Sequence, residues 1–163
     1  DELYQRILSL ISLIILSEYM VTKNFKEVTF KSSCKALSNI FSYIAKNTPT
    51  ISLREKDDVG IEFKAGLKQD YYGFFVSSPK KFANKVISKT KSNRNNTIFF
   101  FIGINEDTKD FSPIPLNRIR NEFRDTVKQE LIKQGCVVWM IESIPINDNE
   151  GILLIALRKG DDF

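Results

Sequence analysis

The spacing of apolar and polar positions changes several times along the chain, and each change marks an element. Residues 2–19 are apolar on nearly every side, with Gln5, Ser9 and Ser12 on one narrow polar stripe, which predicts a helix buried over most of its surface. Residues 26–30 fit a short strand. Ser32 or Ser33 then caps a second helix to about Asn47, carried by Ala36, Leu37, Ile40, Phe41 and Ile44, and Pro49 stops it. Strand patterns follow at 51–56, 59–67 and 71–76. The middle one alternates, with Ile61, Phe63, Ala65 and Leu67 on one face. Together these three predict an antiparallel meander.

Ser78-Pro79 is a helix start. The third helix covers about 80–91, with Phe82, Ala83, Val86 and Ile87 inward and Lys81, Lys85 and Lys89 in line on the outer face. Thr97–Ile104 is almost continuously apolar and predicts a strand covered on both faces. A fourth helix spans about 116–134, on a stripe of Leu116, Ile119, Phe123, Val127 and Leu131, with Gly135 suited to its C-terminal cap. Residues 136–142 and 152–157 are two more buried strands, and Trp139 falls in the core. The order predicts a single α+β domain: four helices on a mixed, largely antiparallel sheet. The strand-helix-strand unit at 97–142 is the expected parallel β-α-β crossover. Residues 92–96 are the one weak candidate boundary. The first residue is Asp1, not Met, which fits a fragment of a longer chain or a processed product.

Composition removes whole classes of chemistry. The 163 residues include no histidine, which excludes Ser-His-Asp triads, Cys-His pairs and His-ligated zinc. Cys34 and Cys136 lie far apart in apolar surroundings. They read as buried free thiols, and a reducing, intracellular compartment, cytoplasmic or nuclear, follows. The longest apolar stretch, Ile7–Leu16, is broken by two serines and is far short of the ~20 residues that span a bilayer, so no membrane partner is expected.

The charge is uneven. The formal net charge is +4, yet residues 77–98 alone carry Lys80, Lys81, Lys85, Lys89, Lys91 and Arg94 without an acid. That segment holds +6 and leaves the rest of the chain at −2. The fourth helix adds Arg120 and Arg124. A basic helix face followed by a polar loop suits a phosphate backbone, where each neutralised phosphate releases counterions. The layout of residues 33–91 (helix, three strands, helix), with Ser78-Pro79-Lys80-Lys81-Phe82-Ala83-Asn84-Lys85 opening the second helix, resembles the double-stranded-RNA-binding domain. That family's motif has a lysine where Asn84 stands, and its glycine-rich lead-in and loop histidine are missing here. The resemblance implies that Lys80, Lys81 and Lys85 meet phosphates and that duplex shape is read rather than sequence.

A second pattern carries chemistry. Gly60-Ile61-Glu62-Phe63-Lys64 places an acid and a lysine two apart on a strand, and it resembles the PD-(D/E)xK nuclease core. That resemblance implies Glu62 and a second carboxylate holding Mg²⁺ while Lys64 assists an attacking water. Asp58 is on the same strand face, but four residues along an extended strand put it roughly 13 Å away. A bend at Gly60, or Glu18 from the first helix, would supply the missing acid. A separate acidic group, Glu106, Asp107 and Asp110, follows the apolar strand at 97–104, where ligands of parallel α/β units gather.

These features lead to three expectations. The first is non-catalytic, largely sequence-independent binding of RNA or DNA through Lys80, Lys81, Lys85, Lys89, Lys91, Arg94, Arg120 and Arg124, with no cofactor. The second is a Mg²⁺-dependent nuclease using Glu62, Lys64 and Asp58. The third is an accessory module that docks a protein partner on its apolar first helix.

Overall fold

A computed structural model describes residues 59–66, 73–106 and 111–163. The chain divides into two compact units, and these residues belong to the one formed by Asp57–Glu106 and Phe111–Phe163. The boundary expected near 92–96 falls inside that unit.

The described elements are strand β1 (Val59–Lys64), helix α1 (Pro79–Ser92), strand β2 (Thr97–Ile102), a two-residue strand β3 (Ile114–Pro115), a 3-10 turn (Leu116–Arg118), helix α2 (Asn121–Lys133), strand β4 (Cys136–Pro145) and strand β5 (Glu150–Lys159). Two α-helices are present among the described residues. The other two expected helices, at 2–19 and 32–47, lie outside them, as do the strand expectations at 26–30 and 51–56, Cys34 and Asp58. The fold is mixed α/β: β5 pairs antiparallel with β2, β3 and β4, and β1 with β2 is the parallel pair.

The directly paired parallel strands are not those of the unit expected to cross over at 97–142. The parallel neighbours are the strands on either side of α1. β2 and β4, the strands of that unit, run the same way, but β5 lies between them, because residues 153–158 of β5 pair with β2 on one side and β4 on the other. The expected meander is described only in part, because 51–56 and 67–72 lie outside the described residues. Residues 73–76 are not a strand; they pack against the core, with Phe75 buried. The three antiparallel strands implied by the double-stranded-RNA-binding resemblance are therefore not what the described residues form.

The helix starts follow local chemistry. Pro79 takes the first helical position of α1, where its missing N–H costs nothing. α2 begins later than its apolar stripe suggests, since Pro113 and Pro115 hold the backbone extended through β3 and a separate 3-10 turn follows before the helix. Gly135, at φ +99°, ends it in the left-handed region that glycine adopts without strain.

One core joins both helices to one face of the sheet. Phe82, Val86 and Ile87 of α1 and Phe123, Val127 and Leu131 of α2 pack on Ile98, Phe100 and Ile102 of β2 and on Leu153, Ile155 and Leu157 of β5. Phe75, Phe82 and Phe123 meet at ring-centroid distances of 5.3–5.6 Å. The opposite face carries Phe99, Phe101, Leu154 and Ala156, also buried, so the continuously apolar runs are covered on both sides as the sequence requires. In β4 the register shifts between Val138 and Met140. This bulge lets Val138 and Ile141, three apart, serve the same face, and it turns Trp139 out of the core to half-burial beside Arg158. Cys136 is a free, buried thiol, and burial pushes its pKa up to about 11. Among the described residues, no helix is long and apolar enough to cross a membrane.

Candidate functional site

The ring of Phe63 stacks on Phe101, its partner in the register, at 5.6 Å between centroids. Side chains alternate along a strand, so Glu62 and Lys64 point to the other face, the one that carries the helices. There they meet the loop that leaves α1 and the loop that follows β2.

Lys64 is the centre of the cluster. Its side chain is only 9% exposed, and its ammonium lies 2.8 Å from Glu106 Oε2 and 3.7 Å from Glu62 Oε2. A buried ammonium carries a desolvation cost of several kcal/mol, which opposite charges at this range offset. Two carboxylates against one ammonium leave a formal charge of −1. Glu62 is itself mostly buried and Glu106 is about half exposed, so the cluster opens to solvent on the Glu106 side. The other oxygen of Glu62 accepts a hydrogen bond of 2.9 Å from Asn93 Nδ2.

The backbone explains how residues 42 apart come together. The carbonyl of Lys64 accepts hydrogen bonds from the N–H groups of Gly103 and Ile104, which joins the end of β1 to the turn after β2. Glu106 follows two residues later. The site thus sits at the carboxyl ends of two adjacent parallel strands, the place where open α/β sheets gather ligands. The acid–lysine pair on β1 and the acidic loop, separate in the sequence, become one site through Glu106. Asp107 and Asp110 lie outside the described residues. Among the described residues, no three Asp, Glu, Cys or His side chains form a metal-binding group. Two carboxylates are nonetheless a sufficient protein donor set for Mg²⁺, which keeps several waters and takes substrate phosphate oxygens for the rest.

Gly60 makes the arrangement sterically feasible. A Cβ there would lie 2.7 Å from Asn95 Nδ2 and 3.1 Å from both polar atoms of the Asn93 side chain. The glycine lets the end of α1 lie directly on β1.

The basic residues separate into two groups. Lys80, Lys81, Lys91 and Arg94 are exposed and Lys89 is half-buried, and none of the five has an ion pair among the described residues. Lys85 differs: its ammonium donates to the carbonyls of Gly73 and Phe74 at 3.3 and 3.2 Å and lies over the Phe74 ring. It ties residues 73–74 to α1. Arg124 also has a structural task, with one nitrogen 2.7 Å from Glu142 and another on Asn121. Arg120 is exposed at the start of α2. Asn93 and Asn95 carry no signal in the sequence, where they are two of several polar residues in a loop. Comparisons of the chain with protein-family models, with curated proteins and with solved structures find no match.

Proposed function

We propose that this unit is a nucleic-acid phosphodiesterase: a divalent-cation-dependent nuclease whose basic helix holds the phosphate backbone beside the Glu62–Lys64–Glu106 cluster. The observation that carries the proposal is Lys64, buried between one carboxylate from β1 and one from the loop that follows β2, and next to the acid-free helix α1. Hydrolysis of a phosphodiester forms a bond from water oxygen to phosphorus and breaks the bond to the leaving sugar oxygen. A divalent cation, when bound, acidifies the water and offsets charge on the phosphoryl oxygens. Glu62 and Glu106 are the residues to hold it. The Lys64 ammonium faces the same space and stabilises negative charge as it builds on the phosphate. Lys80, Lys81, Lys89, Lys91 and Arg94 position the backbone without reading bases, since phosphate contacts carry no sequence information directly.

A second reading keeps the binding and drops the chemistry. It draws support from the same ammonium, which already neutralises one carboxylate in the cluster and so weakens its pull on a cation. One experiment separates the two. Fluorescently labelled single- and double-stranded RNA and DNA are incubated with the protein in Mg²⁺, Mn²⁺ or EDTA, and cleavage and anisotropy are followed together. Metal-dependent cutting that disappears in Glu62→Gln while binding in EDTA persists supports the nuclease. Salt-sensitive binding with no cutting under any metal leaves the binding module. Neither cutting nor binding at low salt overturns both.

A further inference from the structure

Asn93 uses all of its polar groups. Its N–H closes the last turn of α1 on the Lys89 carbonyl at 3.0 Å, and its own carbonyl accepts a hydrogen bond from the Lys159 ammonium. Its Oδ1 accepts two bonds of 2.9 Å, from the Asn95 backbone N–H and from Asn95 Nδ2. Its Nδ2 donates to Glu62 Oε1 at 2.9 Å. A backbone N–H can end only on the oxygen of the amide, so the amide's orientation is determined and its NH₂ must face Glu62. Three elements therefore hold this one residue: α1 through its backbone N–H and β5 through its backbone carbonyl, while the loop fixes its side-chain amide through Asn95.

We propose that Asn93 is the positioning residue for Glu62. It sets the carboxylate's rotamer, keeps Oε2 turned toward Lys64, and links the site to the helix that carries the phosphate-binding lysines. An uncharged amide suits this task. A lysine in its place would neutralise Glu62 and compete with a cation, and an acid would repel the carboxylate. The amide orients Glu62 without altering the net charge of the cluster, as outer-shell partners of metal ligands do. The proposal rests on the reading of Glu62 as a cation-holding carboxylate.

The test compares the full chain with Asn93→Ala and Asn93→Ser, a second small variant in case the first does not fold. Three quantities are measured: thermal stability without metal, Mn²⁺ affinity by calorimetric titration, and steady-state cleavage. Loss of an outer-shell partner costs about 10–100-fold in metal affinity or activity. The expected result is a fall of that size in Mn²⁺ affinity and in kcat, with KM for nucleic acid moved less than about twofold. Folded variants that bind Mn²⁺ and cut as well as the parent overturn the role of Asn93 and leave the nuclease reading intact. A parent protein that neither binds Mn²⁺ nor cuts overturns the reading of Glu62, and the role of Asn93 with it. A fall in thermal stability with unchanged Mn²⁺ affinity makes Asn93 a helix cap only, which also overturns the proposal.

Discussion

The ammonium of Lys64 meets the carboxylate of Glu106 at 2.8 Å across 42 residues of sequence. It is closer than the 3.7 Å ion pair of the same ammonium with Glu62, and it pairs a buried group with a half-exposed one. Glu106→Gln removes the nearest counter-charge and leaves Lys64 with Glu62 at 3.7 Å. Because Glu106 is half open to water, the expected cost is modest, about 1 kcal/mol by urea denaturation. Metal-dependent cleavage is expected to be lost in the same variant.

The helix lysines are not equivalent. Lys81→Glu with Lys89→Glu is expected to weaken nucleic-acid binding by about tenfold or more at low salt and to flatten the salt dependence by about one unit of slope per lost phosphate contact. Anisotropy titrations at several salt concentrations measure both. An unchanged slope would remove α1 from the interface.

Lys85→Met is expected to behave differently. The variant forfeits two bonds to carbonyls and the contact over Phe74, a loss of about 1 kcal/mol of stability. Its binding is expected to fall less than that of Lys81→Glu. Chemical denaturation and anisotropy on the two single variants separate the roles.

Gly60→Ala places a methyl where the Asn95 and Asn93 amides lie. The backbone of β1 is expected to hold while the amides move, so cleavage should fall with a stability loss of about 1–2 kcal/mol. Thermal melting and a cleavage assay on one preparation check this.

The raised pKa of Cys136 has a defined sign. A thiol whose folded pKa, about 11, exceeds its ordinary value of 9.0 contributes stability that is complete below pH 9 and is lost as pH rises toward 11. Two units correspond to roughly 3 kcal/mol. Between pH 9 and 11, the stability of the parent is expected to fall more steeply than that of Cys136→Val, as followed by urea denaturation at each pH.

The sequence revealed those parts of the fold that depend on local pattern. The stripes of α1 and α2, the doubly buried runs of β2 and β5, the Pro79 start and the Gly135 stop each need only nearby residues. Pairing partners were harder to read. An alternating strand such as β1 looks the same beside a parallel or an antiparallel neighbour, and only the position of α1 between β1 and β2 distinguishes them. Trp139 looked like core because a bulge cannot be seen in an unbroken apolar run. At the site, Glu62 and Lys64 were visible as a pair at strand spacing. Glu106 was visible only as part of an acidic loop, since its contact with Lys64 depends on the turn after β2 folding back onto the end of β1. Lys85 looked like one more exposed lysine because its carbonyl partners are backbone atoms, which side-chain patterns do not report.

The place of β5 bears on how the chain is made. It follows every strand it pairs with in sequence, yet it lies between β2 and β4 and also holds β3. During synthesis, β1, α1 and β2 leave the ribosome with the long apolar edge of β2 unpaired. They wait for some fifty residues before the strand that covers that edge emerges. Pairing across such separations is slow and exposes the chain to aggregation until it completes. A stop codon or protease cut ahead of Glu150 would therefore remove the hub of the sheet rather than trim an end, leaving β2, β3 and β4 without a common neighbour.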